Sequence, residues 1–76
     1  ASISFALTRR ADVSLTIYDV RGRAVRSLFA GPSDVGLRTL DWDGRSDAGA
    51  PVGNGIYFVR LTWEGGSVVG KAAIVH

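Results

Sequence analysis

Three carboxylates fall within the short run Asp41-Trp42-Asp43-Gly44-Arg45-Ser46-Asp47. Oxygen donors crowded into one loop are what a calcium ion takes from a protein, which makes Asp41, Asp43 and Asp47 its candidate ligands. Two features oppose that chemistry. The closing carboxylate of an EF-hand loop would fall on Val52 or Asn54, depending on which Asp opens it, and Arg45 sets a cation among the ligands. The competing reading is structural: Asp side chains accept hydrogen bonds from the backbone of their own turn. That turn is the expectation, and no cofactor is expected.

Nucleophilic catalysis needs a base held beside the nucleophile. The chain has no cysteine, and its one histidine is His76. No triad can be drawn from these residues, and no convergent acid–base set for a small-molecule substrate is visible. Gly53-Asn54-Gly55 resembles part of a phosphate loop, but Ile56-Tyr57-Phe58-Val59 follows it. A strand there cannot offer the anion a helix N-terminus, so the glycines read as turn residues. Lys71 and Glu64 could enter an isopeptide bond only with an Asx partner that nothing in the spacing supplies.

Trp42 and Trp63 could stack on a sugar, but both fall at inward or end positions of strands, which favours packing. Tyr57, two residues after Gly55, suits a tyrosine corner, in which the hydroxyl bonds back to nearby backbone. The net charge is +2, from nine Lys plus Arg against seven Asp plus Glu. The arginines are spread among acids rather than gathered into a basic footprint, so nucleic acid is not an expected partner. No apolar run approaches the ~20 residues of a membrane-spanning helix.

These side chains must be positioned by strands. Ile3, Phe5 and Leu7 alternate with Ser2, Ser4 and Ala6; Val13, Leu15 and Ile17 alternate with Ser14, Thr16 and Tyr18. A period of two marks a half-buried strand. The spacing predicts strands over 2–7, 13–20, 24–30, 37–43, 56–63 and 68–75, with a short one at Pro51-Val52. Asp19-Val20-Arg21-Gly22-Arg23 reads as a tight turn, Gly31-Pro32-Ser33-Asp34 as a loop, and Glu64-Gly65-Gly66-Ser67 as a hairpin. Val25 and Leu28 should point inward on the third strand, Ala72 and Ile74 on the last. The expectation is one all-β domain over 1–76, an antiparallel sandwich of six or seven short strands; a small barrel is the alternative.

The run from Val13 to Leu28, with Ile17-Tyr18-Asp19-Val20-Arg21-Gly22-Arg23 at its centre, resembles the first half of the Ig-like domain family named for the flagellar hook-capping protein FlgD. Leu40-Asp41-Trp42-Asp43-Gly44-Arg45-Ser46-Asp47-Ala48-Gly49-Ala50-Pro51-Val52 and Gly55-Ile56-Tyr57-Phe58-Val59-Arg60-Leu61 resemble its second half. The resemblance implies an Ig-like β-sandwich without catalysis, with Trp42, Asp43, Gly44, Asp47, Gly49, Gly55 and Tyr57 as fold-defining positions. Such domains are similar to the C-terminal sorting domains of type IX secretion substrates. The implied role is an extracellular or cell-surface bacterial module for sorting, anchoring or spacing, whose partners are parent-protein domains, secretion machinery or copies of itself. A self-assembling subunit is the alternative, with Ile3, Phe5 and Leu7 as the strand to be donated. A carbohydrate- or protein-binding module resting on exposed Trp63 and Tyr18 is a further one.

Overall fold

The computed structural model describes residues 1–75, so the expectation placed on His76 lies outside the described residues. Six strands follow one another: β1 (Ser2–Leu7), β2 (Ala11–Tyr18), β3 (Ala24–Ser33), β4 (Gly36–Asp41), β5 (Gly55–Trp63) and β6 (Gly66–Ile74). They form two antiparallel sheets, one of order β1-β4 and one of order β3-β2-β5-β6. The chain is an Ig-like β-sandwich rather than a closed barrel.

The alternation of side chains along β2 and β5 builds the core. Val13, Leu15 and Ile17 stand opposite Trp63, Leu61 and Val59, so their side chains share one face of the large sheet. On that face Leu15 and Ile17 are almost wholly removed from water, with Tyr57 and Ile74 beside them. The small sheet covers them with the half-buried Ile3, Phe5, Leu7 and Leu40, and Val25, Leu28 and Ala72 pack against the same cluster. Trp42, just beyond β4, is the largest fully buried side chain.

Several boundaries depart from expectation: β4 ends at Asp41, so Trp42 and Asp43 fall beyond the strand expected over 37–43, and β6 begins at Gly66 rather than Val68, narrowing the hairpin turn to Glu64-Gly65. β2 begins at Ala11 and ends at Tyr18, leaving Val20 exposed in the turn to β3. β3 continues through Gly31-Pro32-Ser33, which composition assigns to a loop. β3 is an edge strand, and an edge tolerates proline because only one flank of it must donate to a neighbour. The strand expected at Pro51-Val52 shrinks to a single bridge between Arg45 and Pro51.

Candidate functional site

The residues singled out for chemistry converge on the long connection between β4 and β5. Its anchor is Trp42, whose indole N–H donates to the Arg45 carbonyl at 2.9 Å. This bond matters because an indole N–H buried without a partner would cost its full desolvation penalty, more than the net contribution of the bond itself. The Trp42 backbone extends the β1–β4 ladder: its N–H donates to the Ala1 carbonyl at 2.8 Å, and its carbonyl accepts from the Ala1 nitrogen at 2.8 Å. The tryptophan is thereby held by backbone on one side and by its ring on the other.

From there the loop folds on itself. An Asp43 carboxylate oxygen accepts from the Arg45 N–H at 3.0 Å, closing an Asx turn. Gly44 takes φ of +75° at the bend, and its carbonyl accepts from Val52 N–H at 2.9 Å. A residue with a Cβ would be strained there. Ser46 and Ala50 are bonded through their backbones at 2.9 Å, Gly49 donates to the Ser46 carbonyl at 2.9 Å, and the Arg45 guanidinium reaches the Gly49 carbonyl at 2.9 Å.

Asp47 reaches furthest. Its N–H donates to the Val25 carbonyl and its carboxylate accepts from the Ser27 N–H, both at 3.0 Å, on strand β3. Arg26 completes the clasp: its guanidinium donates to the Ser46 carbonyl at 3.3 Å and lies 3.9 Å from the Asp47 carboxylate. The loop therefore pins the edge strand of the large sheet while Trp42 pins the small one.

Tyr57 closes the other end. Its hydroxyl donates to the Gly53 carbonyl at 2.7 Å, and its ring meets Trp42 edge-on, with centroids 5.3 Å apart and planes at 75°. Gly55 starts β5 opposite Ile74. Trp42, Asp43, Gly44, Asp47, Gly49, Gly55 and Tyr57 thus lie along one continuous structural hub.

The three carboxylates do not converge. Asp43 faces its own turn, Asp47 faces β3, and Asp41 lies 3.6 Å from the Ala1 nitrogen. Among the described residues no group of three or more His, Cys, Asp or Glu surrounds a common point. The idea of Trp42 and Trp63 as a sugar-stacking pair fails on burial, because Trp42 has no exposed surface. Tyr18 and Trp63 are both half-buried and point to opposite faces of the large sheet, Trp63 lying against its own hairpin at Gly66. Arg60 stacks on the Tyr18 ring with its guanidinium carbon 5.7 Å from the centroid.

Asp19 is a structural residue that sequence reading passes over in favour of Gly22. One carboxylate oxygen accepts from Arg21 N–H at 2.9 Å and Arg23 N–H at 3.0 Å, and the other from the Arg23 guanidinium at 3.1 Å. These donors, the Arg23 backbone first, hold its pKa below the usual carboxylate value. An Asp three residues before the turn glycine is the signal that points to it.

A model of the FlgD Ig-like domain family matches residues 1–67, which take in the whole hub and strands β1 to β5. The chain belongs to the FlgD Ig-like domain family. Two relatives are the basal-body rod modification proteins FlgD of Salmonella typhimurium and Salmonella typhi, each 41% identical over 54 residues. That alignment covers 71% of this chain but 23% of either relative, so the chain corresponds to a minor part of their length. It is a non-catalytic Ig-like domain, and its polar motif residues act on its own backbone.

Proposed function

We propose that this domain is an extracellular module of a larger secreted bacterial protein, serving it as a C-terminal sorting, anchoring or spacer unit. The carrying observation is the hub. Its Asp, Trp and Tyr groups are consumed in tying a loop to both sheets, an arrangement that yields a rigid attachment piece rather than a reaction centre. The share of the FlgD relatives that the chain spans, 23%, suits a module that works joined to other domains. Recognition then belongs to protein surfaces, and the expected partners are the parent polypeptide and the export machinery.

The test is a fusion. A folded reporter carrying this domain at its C-terminus is expressed in a bacterium possessing type IX secretion, beside the same reporter carrying the Trp42→Ala form. Surface or medium localisation of the first alone supports sorting. Retention of both inside the cell overturns sorting and leaves the spacer role.

Self-assembly through strand addition is the second reading, favoured by the open edges of both sheets. Light scattering over a concentration series decides it: a constant 8.0 kDa removes it, whereas mass that grows with concentration installs it.

A further inference from the structure

Two regions of the sandwich are left open. Between β1 and β6 runs a groove of about 500 Å³, but its floor of Leu15, Val59 and Leu61 is already buried and nothing there selects an occupant. The outer face of the large sheet is different, because it is graded in both polarity and charge. Register sets its side chains in rows across β2, β5 and β6: Ile56 and Ala73; then Tyr18, Phe58 and Lys71; then Thr16, Arg60 and Val69; then Ser14, Thr62 and Ser67. The last row is small and hydroxylic, as a solvated sheet face ordinarily is. The first three rows instead gather two aromatic rings, Ile56 at 46% exposure, Val69 at 56% exposure and two cations, with no carboxylate.

The β2–β3 turn meets these rows at a depression of about 310 Å³, lined by Tyr18, Asp19, Val20, Phe58, Arg60 and Val69. Val20, which lines it from the turn, is 71% exposed.

Arg60 sets the charge of this depression. The Asp19 carboxylate is engaged by its own turn, through Arg21 N–H, Arg23 N–H and the Arg23 guanidinium. Arg60 stacks on the Tyr18 ring and, among the described residues, makes no hydrogen bond or ion pair. A stacked guanidinium keeps its planar N–H fork free for a carboxylate. Lys71 enters none of the ion pairs of the described residues either. The acids along these strands, Asp12 and Glu64, lie at the hairpin end. They stand four strand positions from the Arg60 row, roughly 13 Å, beyond the ~8 Å over which exposed charges act at physiological salt.

We propose that this depression docks a segment of a partner protein that carries a carboxylate beside an apolar side chain. The apolar side chain enters among Val20, Phe58 and Val69, and the carboxylate meets Arg60 with Lys71 alongside. Charge complementarity selects the carboxylate. Composition selects a protein, since tyrosine and arginine are enriched where protein interfaces concentrate their binding energy. Nucleic acid gains its affinity from many phosphate contacts, which two cations do not supply, and Arg60 already covers the ring on which a base would stack. A second copy fails on charge. A two-fold contact that covers Tyr18 and Phe58 gathers the Arg60 and Lys71 of both copies on one patch. A two-fold contact that pairs Arg60 with Glu64 is centred on Thr62 and leaves the rings at its margin. This docking holds whether the domain sorts, anchors or spaces.

The test is a nuclear magnetic resonance titration of the 15N-labelled chain with the peptide acetyl-Glu-Leu-Glu-Leu-Glu-amide, which copies no part of this chain, whose one Glu is Glu64. One control peptide has Gln for every Glu and the other has Ser for every Leu. Saturable shifts confined to Tyr18–Arg23, Phe58–Arg60 and Val69–Lys71, with each control weaker by about tenfold or more, support the site. Arg60→Glu should weaken the acidic peptide by about tenfold or more, keep the wild-type spectrum elsewhere, and gain binding to the Lys-Leu-Lys-Leu-Lys counterpart. Absence of saturation at millimolar peptide, a control that binds equally well, or shifts elsewhere overturns the proposal. The same shifts appearing with chain concentration and no peptide overturn it in favour of a second copy. Tighter binding of an anionic phospholipid vesicle or a single-stranded oligonucleotide at these residues overturns it in favour of that surface. Shifts already present without peptide once the domain carries its flanking residues overturn it in favour of a segment of the same polypeptide.

Discussion

The β4–β5 loop and the β1–β6 flank are opposite solutions to one problem, that of closing a small sandwich. The loop is irregular yet fully specified: Trp42, Asp43, Asp47 and Tyr57 each bond a particular backbone group, and two of the bonds cross to β3. The flank is regular yet unfinished, with a strand edge and an apolar face left to water. The difference teaches that regular secondary structure is not the measure of how firmly a region is determined. The buried Trp42 and Tyr57 must pair their polar atoms, and the exposed Asp43 and Asp47 bond particular backbone N–H groups, whereas an apolar face only needs something to cover it.

If the hub is what closes the sandwich, Trp42→Ala is the change that breaks it. Truncating a fully buried aromatic costs about 3–5 kcal/mol, a large share of the stability of so small a domain. Thermal unfolding followed by near-ultraviolet circular dichroism should show a strongly lowered midpoint or no cooperative transition. Gly44→Ala comes next, at about 1–2 kcal/mol, because a Cβ is strained at φ of +75° although it would lie 3.8 Å from Ile74, an ordinary contact. Urea denaturation measures it, and a loss equal to that of an exposed strand glycine would remove the special role of the bend.

Tyr57→Phe keeps the ring against Trp42 and removes only the bond to Gly53, for an expected loss of about 1 kcal/mol. The flank should behave differently. Gly70→Val should alter stability by no more than about 0.5 kcal/mol, since nothing described is displaced. A loss comparable to that of Trp42→Ala would show that the flank is as tightly specified as the hub.

Asp19 gives the subtlest contrast, read through pH. Its folded pKa is lowered by donors of its own turn, so its contribution is complete above the unfolded carboxylate value. The contribution is lost as pH falls through the lowered folded value. Asp19→Asn should therefore flatten the acid side of the stability profile and leave the relative pH dependence near neutrality unchanged. An unaltered acid limb would remove the carboxylate from the account.

Much of the hub is legible in the chain. The aspartates around Gly44 announce a turn, and Tyr57 just after Gly55 announces a tyrosine corner, because these side chains act on backbone close by in sequence; Trp42 itself reads as a strand residue, since its alternation with Leu40 continues β4. Asp47 is legible as a turn residue but not as the clasp on β3, since Val25 and Ser27 lie some twenty positions away. Pro32 misleads for a related reason: whether proline is tolerated in a strand depends on which strands flank it, and residues near Pro32 do not carry that information.

The sequence by itself determined the alternating strands, the all-β class and the local turns, because each follows from side-chain periodicity and from backbone preferences within a few residues. It also determined what is missing, since a chain without cysteine and with one histidine has few groups to gather for catalysis. Only the tertiary structure decided that two strands cover four, that Asp47 bridges to an edge, and that β1 and β6 face each other across an open groove. Those outcomes depend on how whole sheets stack, and stacking is set by the sum of many weak apolar contacts between residues distant along the chain.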